Sequence, residues 1–341
     1  MPSVPVSVAK PLKDTDPELR ENIRSFCDQT YPEYEILLGF TDSADRGIPA
    51  AEEVVRSSKC SARIVISQDA IGVNQKVTNL HALVEAARCP LIAVSDSDMR
   101  VDPSYLERIV GEYYSDSNVG LVTSLYKISN PASLGSALES LTVALDFMPS
   151  VIIAGKLEGV TFGLGASMLF SKEALKDIGG FSTIADYLAD DYQIGNRLWK
   201  RGYKIVLSRL VIENVIGKMS VADYLVHQLR WARTYRASRP KGFLGYGITH
   251  VFPFSVLLLA LLGPTPLSLS IFGCVLILRF SLAVVVYKKV IRSINWIRWS
   301  VLTPVKDLLS FCIWIWSFLG QKVFWRGSYY RIVKGGRIIR E

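Results

Sequence analysis

A chain of 341 residues, 50% hydrophobic and 21% charged, is large enough for a substantial core and too apolar to be a disordered or purely solvating protein. Its net charge of +8 is unevenly placed: from Val226 onward 17 Lys and Arg stand against 2 acids, while the remainder carries 22 basic and 29 acidic residues. Basic residues that flank hydrophobic runs point to a membrane surface and argue against nucleic acid.

Met1 is followed at once by strand-like VPVSVAKPL, with no leader pattern. Strands are predicted at Val4–Lys10, Glu35–Phe40, Ala62–Ser67, Leu91–Ser95 and Val119–Tyr126. Helices are predicted between them at Asp16–Gln29, Pro49–Ser58, Asn74–Arg88 and Pro103–Tyr114. This βαβα order predicts an α/β fold, a mostly parallel sheet with helices on both faces, in which ligands bind beyond the carboxyl ends of the strands. Leu141–Val160 is interrupted by Asp146, Pro149 and Lys156, so it reads as an interfacial or core element and not as a clean span. Thr249–Leu262 and Leu267–Tyr287 are separated by Gly263-Pro264-Thr265-Pro266 and read as a helical hairpin. The second of these is long enough to cross a bilayer, for which about 20 residues are needed. The Trp-rich run Leu308–Phe324 is expected to lie in the membrane interface. These runs predict a membrane region from residue 245 to residue 341 behind a domain covering residues 1–244, with interfacial helices near 133–155 and 220–240.

Acidic residues fall at the predicted strand ends: Asp42 after the second, Asp96-Ser97-Asp98 after the fourth, and Asp190-Asp191 further on. In LIAVSDSDM the two carboxylates spaced by two can reach one hard cation, which in turn neutralises a diphosphate; acidic turns are also common without any metal. In LADDYQIGNRLWK the pair precedes a helix, where an Asp serves either as a cap or as a general base. DAIGVNQKVTNL puts Lys76 at the start of a helix, as a solvated charge or a ligand. HQLRWARTYR spaces Arg230, Arg233 and Arg236 by three beside Trp231, which suits a basic membrane-proximal helix and also bidentate contact to a pyrophosphate. Neither GxGxxG nor GxxxxGK[ST] occurs, which removes support for dinucleotide and P-loop sites. Cys27, Cys60, Cys89, Cys274 and Cys312 form no CxxC and read as reduced thiols in a cytosolic setting, and the 3 isolated His residues exclude a His-rich metal site.

In order, Asp42, SDSDMRVDPSYL, GVTFGLGASMLFSKEALKDIGGF, LADDYQIG and HQLRWARTYR resemble the ceramide glucosyltransferase family, whose relatives include the hopanoid glycosyltransferases of bacteria. The resemblance runs from about Pro5 to Pro240 and continues loosely beyond. It implies a GT-A fold and an inverting, membrane-bound hexosyltransferase that moves one sugar from a UDP-sugar, UDP-glucose or UDP-GlcNAc, to a lipid hydroxyl. By position it implies Asp191 as the catalytic base. Asp42, Lys76, Asp96, His227, Gln228, Arg230 and Trp231 are implied at the donor, with Mn²⁺ or Mg²⁺ held by Asp96 and Asp98. Asp190 is expected to cap the helix or orient its neighbour. His227 stands where the family usually has Gln or Arg, and Gln228 beside it is the expected substitute. The expected partners are a lipid acceptor in the membrane and the UDP-sugar, with no nucleic acid and no obligate protein partner; the catalytic domain is placed on the cytosolic face. A processive polysaccharide synthase, a non-catalytic nucleotide-sugar-binding protein and a transporter are the alternatives.

Overall fold

The computed structural model describes residues 4–293 and 296–341; Met1–Ser3, Ile294 and Asn295 lie outside the described residues. Strands β1 (Val6–Pro11), β2 (Tyr34–Phe40), β3 (Ser61–Ile66) and β4 (Leu91–Val94) alternate with helices α1 (Leu19–Cys27), α2 (Ile48–Ser57) and α3 (Gln75–Ala86). The short β5 (Met99–Arg100), α4 (Tyr105–Tyr113) and β6 (Val119–Lys127) follow. Next come α5 (Leu134–Thr142), a π-helical turn at Val143–Phe147 and α6 (Met148–Glu158). Then β7 (Met168–Ser171), α7 (Lys172–Asp177), α8 (Asp190–Lys200) and β8 (Lys204–Asn214) complete the large sheet. The C-terminal part holds α9 (Val221–Ser238), α10 (Pro240–Tyr246), α11 (Val251–Leu262), α12 (Pro266–Val286), α13 (Trp296–Ser300) and α14 (Thr303–Ser317), followed by β9 (Lys322–Trp325), β10 (Ser328–Ile332) and β11 (Ile338–Arg340).

Packing divides the chain into two compact units, residues 1–127 with 152–216, and residues 128–151 with 217–341. The division is not at residue 244, because α9 and α10 pack with the C-terminal helices.

The first unit is built on an eight-stranded sheet in the order β3-β2-β1-β4-β7-β6-β8-β5. β1 pairs in parallel with both β2 and β4, and β6 in parallel with β8, whereas β7 runs antiparallel to its two neighbours. The four residues of β4, Leu-Ile-Ala-Val, are all buried, as a strand covered on both faces requires. Val77, Leu80, Leu83 and Val84 of α3 and Ile194 and Leu198 of α8 share one core with Ile92, Val94, Met168 and Phe170 of the sheet. Each such aliphatic side chain stabilises the fold by roughly 1.5–3 kcal/mol. That core seats the two helices whose first turns carry Lys76 and the Asp190-Asp191 pair.

The second unit is helical with a small antiparallel sheet, β11-β10-β9. α5, the π turn and α6 form one continuous helix, Leu134–Glu158, long and apolar enough to cross a membrane but largely buried inside the protein. This corrects the expectation that Asp146, Pro149 and Lys156 interrupt it. Pro149 has no amide for the carbonyl of Leu145 and would clash with it in a regular helix; the widened turn at Val143–Phe147 absorbs that conflict. Pro266–Ile291, by contrast, meets the same length and hydropathy criteria with almost none of its apolar window buried, as a membrane-crossing helix requires. The segments Pro240–Thr249 and Val251–Leu262 meet the criteria only together and are bent by 57°. The expected Leu308–Phe324 segment is not one helix: α14 ends at Ser317, and Lys322–Trp325 is a strand. Positive φ at Gly320 opens the turn between them.

Candidate active site

The site begins with a docking of loops. Gly72 lies so close to the backbone of Ala185 that a Cβ on it would sit 2.5 Å from the Ala185 Cβ. Asn74 then donates its amide N–H to the Ala185 carbonyl at 2.8 Å and its side-chain NH₂ to Tyr187 O at 2.7 Å. The same Asn74 caps α3, its Oδ1 accepting from the amides of Lys76 and Val77. One residue thus starts the helix bearing Lys76 and ties it to the loop leading to Asp190.

Lys76, almost fully buried, places Nζ 2.6 Å from Asp96 Oδ1 and 3.6 Å from Asp190 Oδ2. Burial alone would depress its ammonium, but Asp190, Asp96 and Asp191 more than offset this and hold its pKa above that of an ordinary lysine. Asp190 is the first residue of α8 and does not cap it, since the N-cap is Ala189; this replaces the expected capping role. Burial raises the Asp190 carboxyl, Lys76 draws it back, and Asp191 and Asp96 raise it again, to about 6.

Asp191 is gripped by backbone. Its Oδ1 accepts from the amide of Tyr192 at 2.7 Å and its Oδ2 from the amide of Gly165 at 2.8 Å. Burial nevertheless keeps its pKa above the usual carboxylate value. Gly165 is the centre of the arrangement: a Cβ there would lie 3.1 Å from Lys76 Nζ, 3.2 Å from Asp96 Oδ2 and 3.3 Å from Asp191 Oδ2. Gly195 of α8 makes room for the same loop, because a Cβ there would meet Gly163 N at 2.1 Å. Sequence reasoning did not single out Gly163, Gly165 or Gly195; the repeated glycines of GVTFGLGASM were the available signal for the first two.

The two carboxylates of the DSD differ. Asp96 is a third exposed and faces Lys76. Asp98 has Oδ1 buried without a hydrogen-bond partner, and burial followed by the charges of Asp96 and Asp16 raises it to about 6. Beneath the turn, the fully buried Lys10 donates to the Asp96 carbonyl at 2.8 Å, its own pKa pulled down by burial to about 7. No group of three or more His, Cys, Asp or Glu suited to a metal occurs among the described residues. Asp96 nonetheless fits a hard cation that draws most of its shell from water and substrate phosphates, as Mg²⁺ does with one or two carboxylates. Asp42 lies exposed beyond β2, accepting from the amide of Ala44 at 2.8 Å.

His227, Gln228, Arg230 and Trp231 lie on α9 in the second unit. Gln228 is buried and donates to Glu139 Oε2 at 2.9 Å. His227 Nδ1 lies 3.1 Å from Glu139 Oε1 but off the line of a hydrogen bond, a charge contact when the ring is protonated. Its ring packs on Trp231 at 4.9 Å, and Trp231 in turn meets Phe147 at 5.7 Å.

Buried carboxylates gathered at the carboxyl edge of a mostly parallel sheet are arranged for proton transfer and for phosphate-bound cations. The fold is GT-A: the mannosyltransferase PcManGT of Pyrobaculum calidifontis, solved with GDP-Man and Mn²⁺, superposes with a TM-score of 0.59 at 15% identity, over 91% of this chain and 87% of that one. Ceramide glucosyltransferase 3 of Caenorhabditis elegans is 26% identical over 342 residues, 98% of this chain and 74% of that protein. Ceramide glucosyltransferase 1 of the same organism is 27% identical over 241 residues, 70% of this chain and 52% of that protein. The model of Glycosyl transferase family 21 matches residues 1–338, so the chain belongs to that family and is a hexosyltransferase.

Proposed function

We propose that the enzyme transfers one sugar from a UDP-sugar to a lipid hydroxyl with inversion, with glucose and ceramide, as in its relatives' names, the first pair to test. The observation that carries this reading is the convergence of Lys76, Asp96 and Asp191 on Gly165, with Asp190 facing the same Lys76 ammonium. Asp191 takes the proton of the acceptor hydroxyl as that oxygen attacks the anomeric carbon from the face opposite the diphosphate. The new C–O bond forms as the bond to UDP breaks, and the electron pair leaves with the diphosphate. A carboxyl raised by burial is suited to this, since a base works best with a pKa drawn towards the working pH. The amides of Tyr192 and Gly165 keep it oriented.

Asp96 and Asp98 would hold Mn²⁺ or Mg²⁺, which when bound supplies charge neutralisation for the diphosphate. Asp42 contributes to the nucleotide site. Arg230, always charged and able to bond two phosphate oxygens at once, binds the diphosphate beside Trp231. The apolar α12, with basic residues beyond its end, supports a membrane acceptor and a catalytic domain on the cytosolic face. Detergent-solubilised enzyme given labelled UDP-glucose, Mn²⁺ and ceramide should yield lipid-extractable label, abolished by EDTA. Polymeric product, or full activity in EDTA, would overturn the reading.

A further inference from the structure

We infer that Glu139, a buried carboxylate in the apolar helix α5, is a positioning residue that sets the presentation of Arg230 and Trp231. It is 3% exposed, yet its two oxygens serve two consecutive residues of α9: Oε2 accepts from Gln228 at 2.9 Å, and Oε1 faces His227 Nδ1 at 3.1 Å. Arg230 also lies within electrostatic reach of the carboxylate. A charge this deeply buried persists only when its partners are fixed, and here they are the residues immediately before Arg230 and Trp231.

A second grip comes from the same helix, through Phe147 on Trp231 at 5.7 Å, and a third through Thr142 Oγ1 and Tyr224 Oη at 3.0 Å. The π turn makes the first two compatible. In a regular helix Glu139 and Phe147, eight positions apart, would point about 80° from each other at 3.6 residues per turn. One residue absorbed in the wide turn at Val143–Phe147 brings them to within about 20°. Both then meet α9, at His227-Gln228 and, one helical turn later, at Trp231. Glu139 therefore fixes the rotation of α9 about its own axis at the turn where the two residues emerge.

The inference rests on the reading of Arg230 as a donor-binding residue, so its test has two arms. UDP affinity, with Mn²⁺ present, is measured on the full chain for Glu139→Leu and Glu139→Gln, alone and combined with Arg230→Ala. Amide hydrogen exchange along Val221–Ser238 is followed in each. Glu139→Leu should weaken UDP binding about tenfold, and Glu139→Gln, which keeps an acceptor for Gln228, should stay within about threefold of wild type. In the Arg230→Ala background Glu139→Leu should add little, because residues that act through one another are not additive. Wild-type affinity in Glu139→Leu, a Glu139→Gln as weak as Glu139→Leu, or fully additive losses would overturn the inference. If Arg230→Ala itself binds UDP normally, the donor-binding reading of Arg230 fails separately. Exchange then decides: faster exchange at residues 227–231 in Glu139→Leu supports positioning, and unchanged exchange overturns it.

Discussion

Each unit of this enzyme buries a cluster of charge, and the two clusters are balanced differently. In the helical unit Lys306 bridges Asp146 at 2.7 Å and Asp307 at 2.6 Å, while Arg279 donates to Asp307 at 2.7 and 2.5 Å and reaches Asp146 at 3.4 Å. Two cations meet two anions, and Ser310 donates to the remaining oxygen of Asp146 at 3.1 Å. In the sheet unit the Lys76 ammonium faces three carboxylates, Asp96, Asp190 and Asp191, while Lys10, with its pKa drawn down by burial, lies beneath Asp96. A balanced cluster has no further demand for charge and serves as a joint between the π turn, α12 and α14. An unbalanced one is left with affinity for a proton and for cations, and this is what transfer to a hydroxyl nucleophile requires. Under the proposed function, net charge separates the cluster assigned to catalysis from the one that joins helices.

The contrast breaks most sharply at Asp191. Asp191→Asn keeps the shape and should cost about 10²–10⁴ in kcat, the span of a lost acid–base group, with UDP affinity nearly unchanged. A kcat within tenfold of wild type would remove Asp191 from the role of base. In the balanced cluster Lys306→Met should lower stability by about 3–5 kcal/mol, the usual cost of leaving a buried ion without its partner. Its specific activity per folded molecule should survive, which thermal melting and turnover measured on the same sample will separate.

Gly165→Ala tests the space at the centre of the site. Its Cβ would fall about as close to Lys76 Nζ, 3.1 Å, as to the two carboxylate oxygens, so the neighbours must give by tenths of an ångström. A misplacement on that scale should reduce kcat/KM by about tenfold to a hundredfold, since poorly aligned groups lose rate steeply. An unimpaired variant would show that the glycine is needed only for the loop. The smallest effect concerns pH. Asp190 in the folded state has a pKa of about 6, above the unfolded value of about 3.9, so the folded chain binds this proton more tightly. Ionising it therefore costs stability as pH rises from about 4 to about 6. Melting temperatures of wild type and Asp190→Asn should diverge across that window, with the wild type losing ground as pH increases. Parallel curves would mean that Asp190 titrates alike in both states.

Much of the sheet unit was legible because its signals are local. Apolar LIAV followed at once by SDSD marks a buried strand that ends in a polar turn, and α3 carries its cap at Asn74. The carboxylates of the site could be named, but not how they are held. The partners of Lys76 are distant in sequence, and the grip on Asp191 comes from the amide of Gly165, a group that every non-proline residue carries. Gln228 was expected at the pyrophosphate and is instead turned to Glu139, a residue hidden in an apolar run where an acid reads as an interruption. Lys322–Phe324 read as the end of the Trp-rich run Leu308–Phe324; the turn at Gly320 and the pairing of Lys322–Trp325 with Ser328–Arg331 make it part of a strand. Periodicity fixes what a segment does alone and is silent on what its ends will meet.

The π turn has a consequence for how this gene tolerates change. Within Val143–Phe147 most side chains face packed neighbours that accept conservative exchanges of similar volume. Loss of one codon there is a different kind of event. It would restore a regular helix, leave its two halves facing as they do now, and carry Pro149 into a clash that the wide turn avoids. At Val143, Ala144 and Leu145 the number of residues is more strictly constrained than their identity.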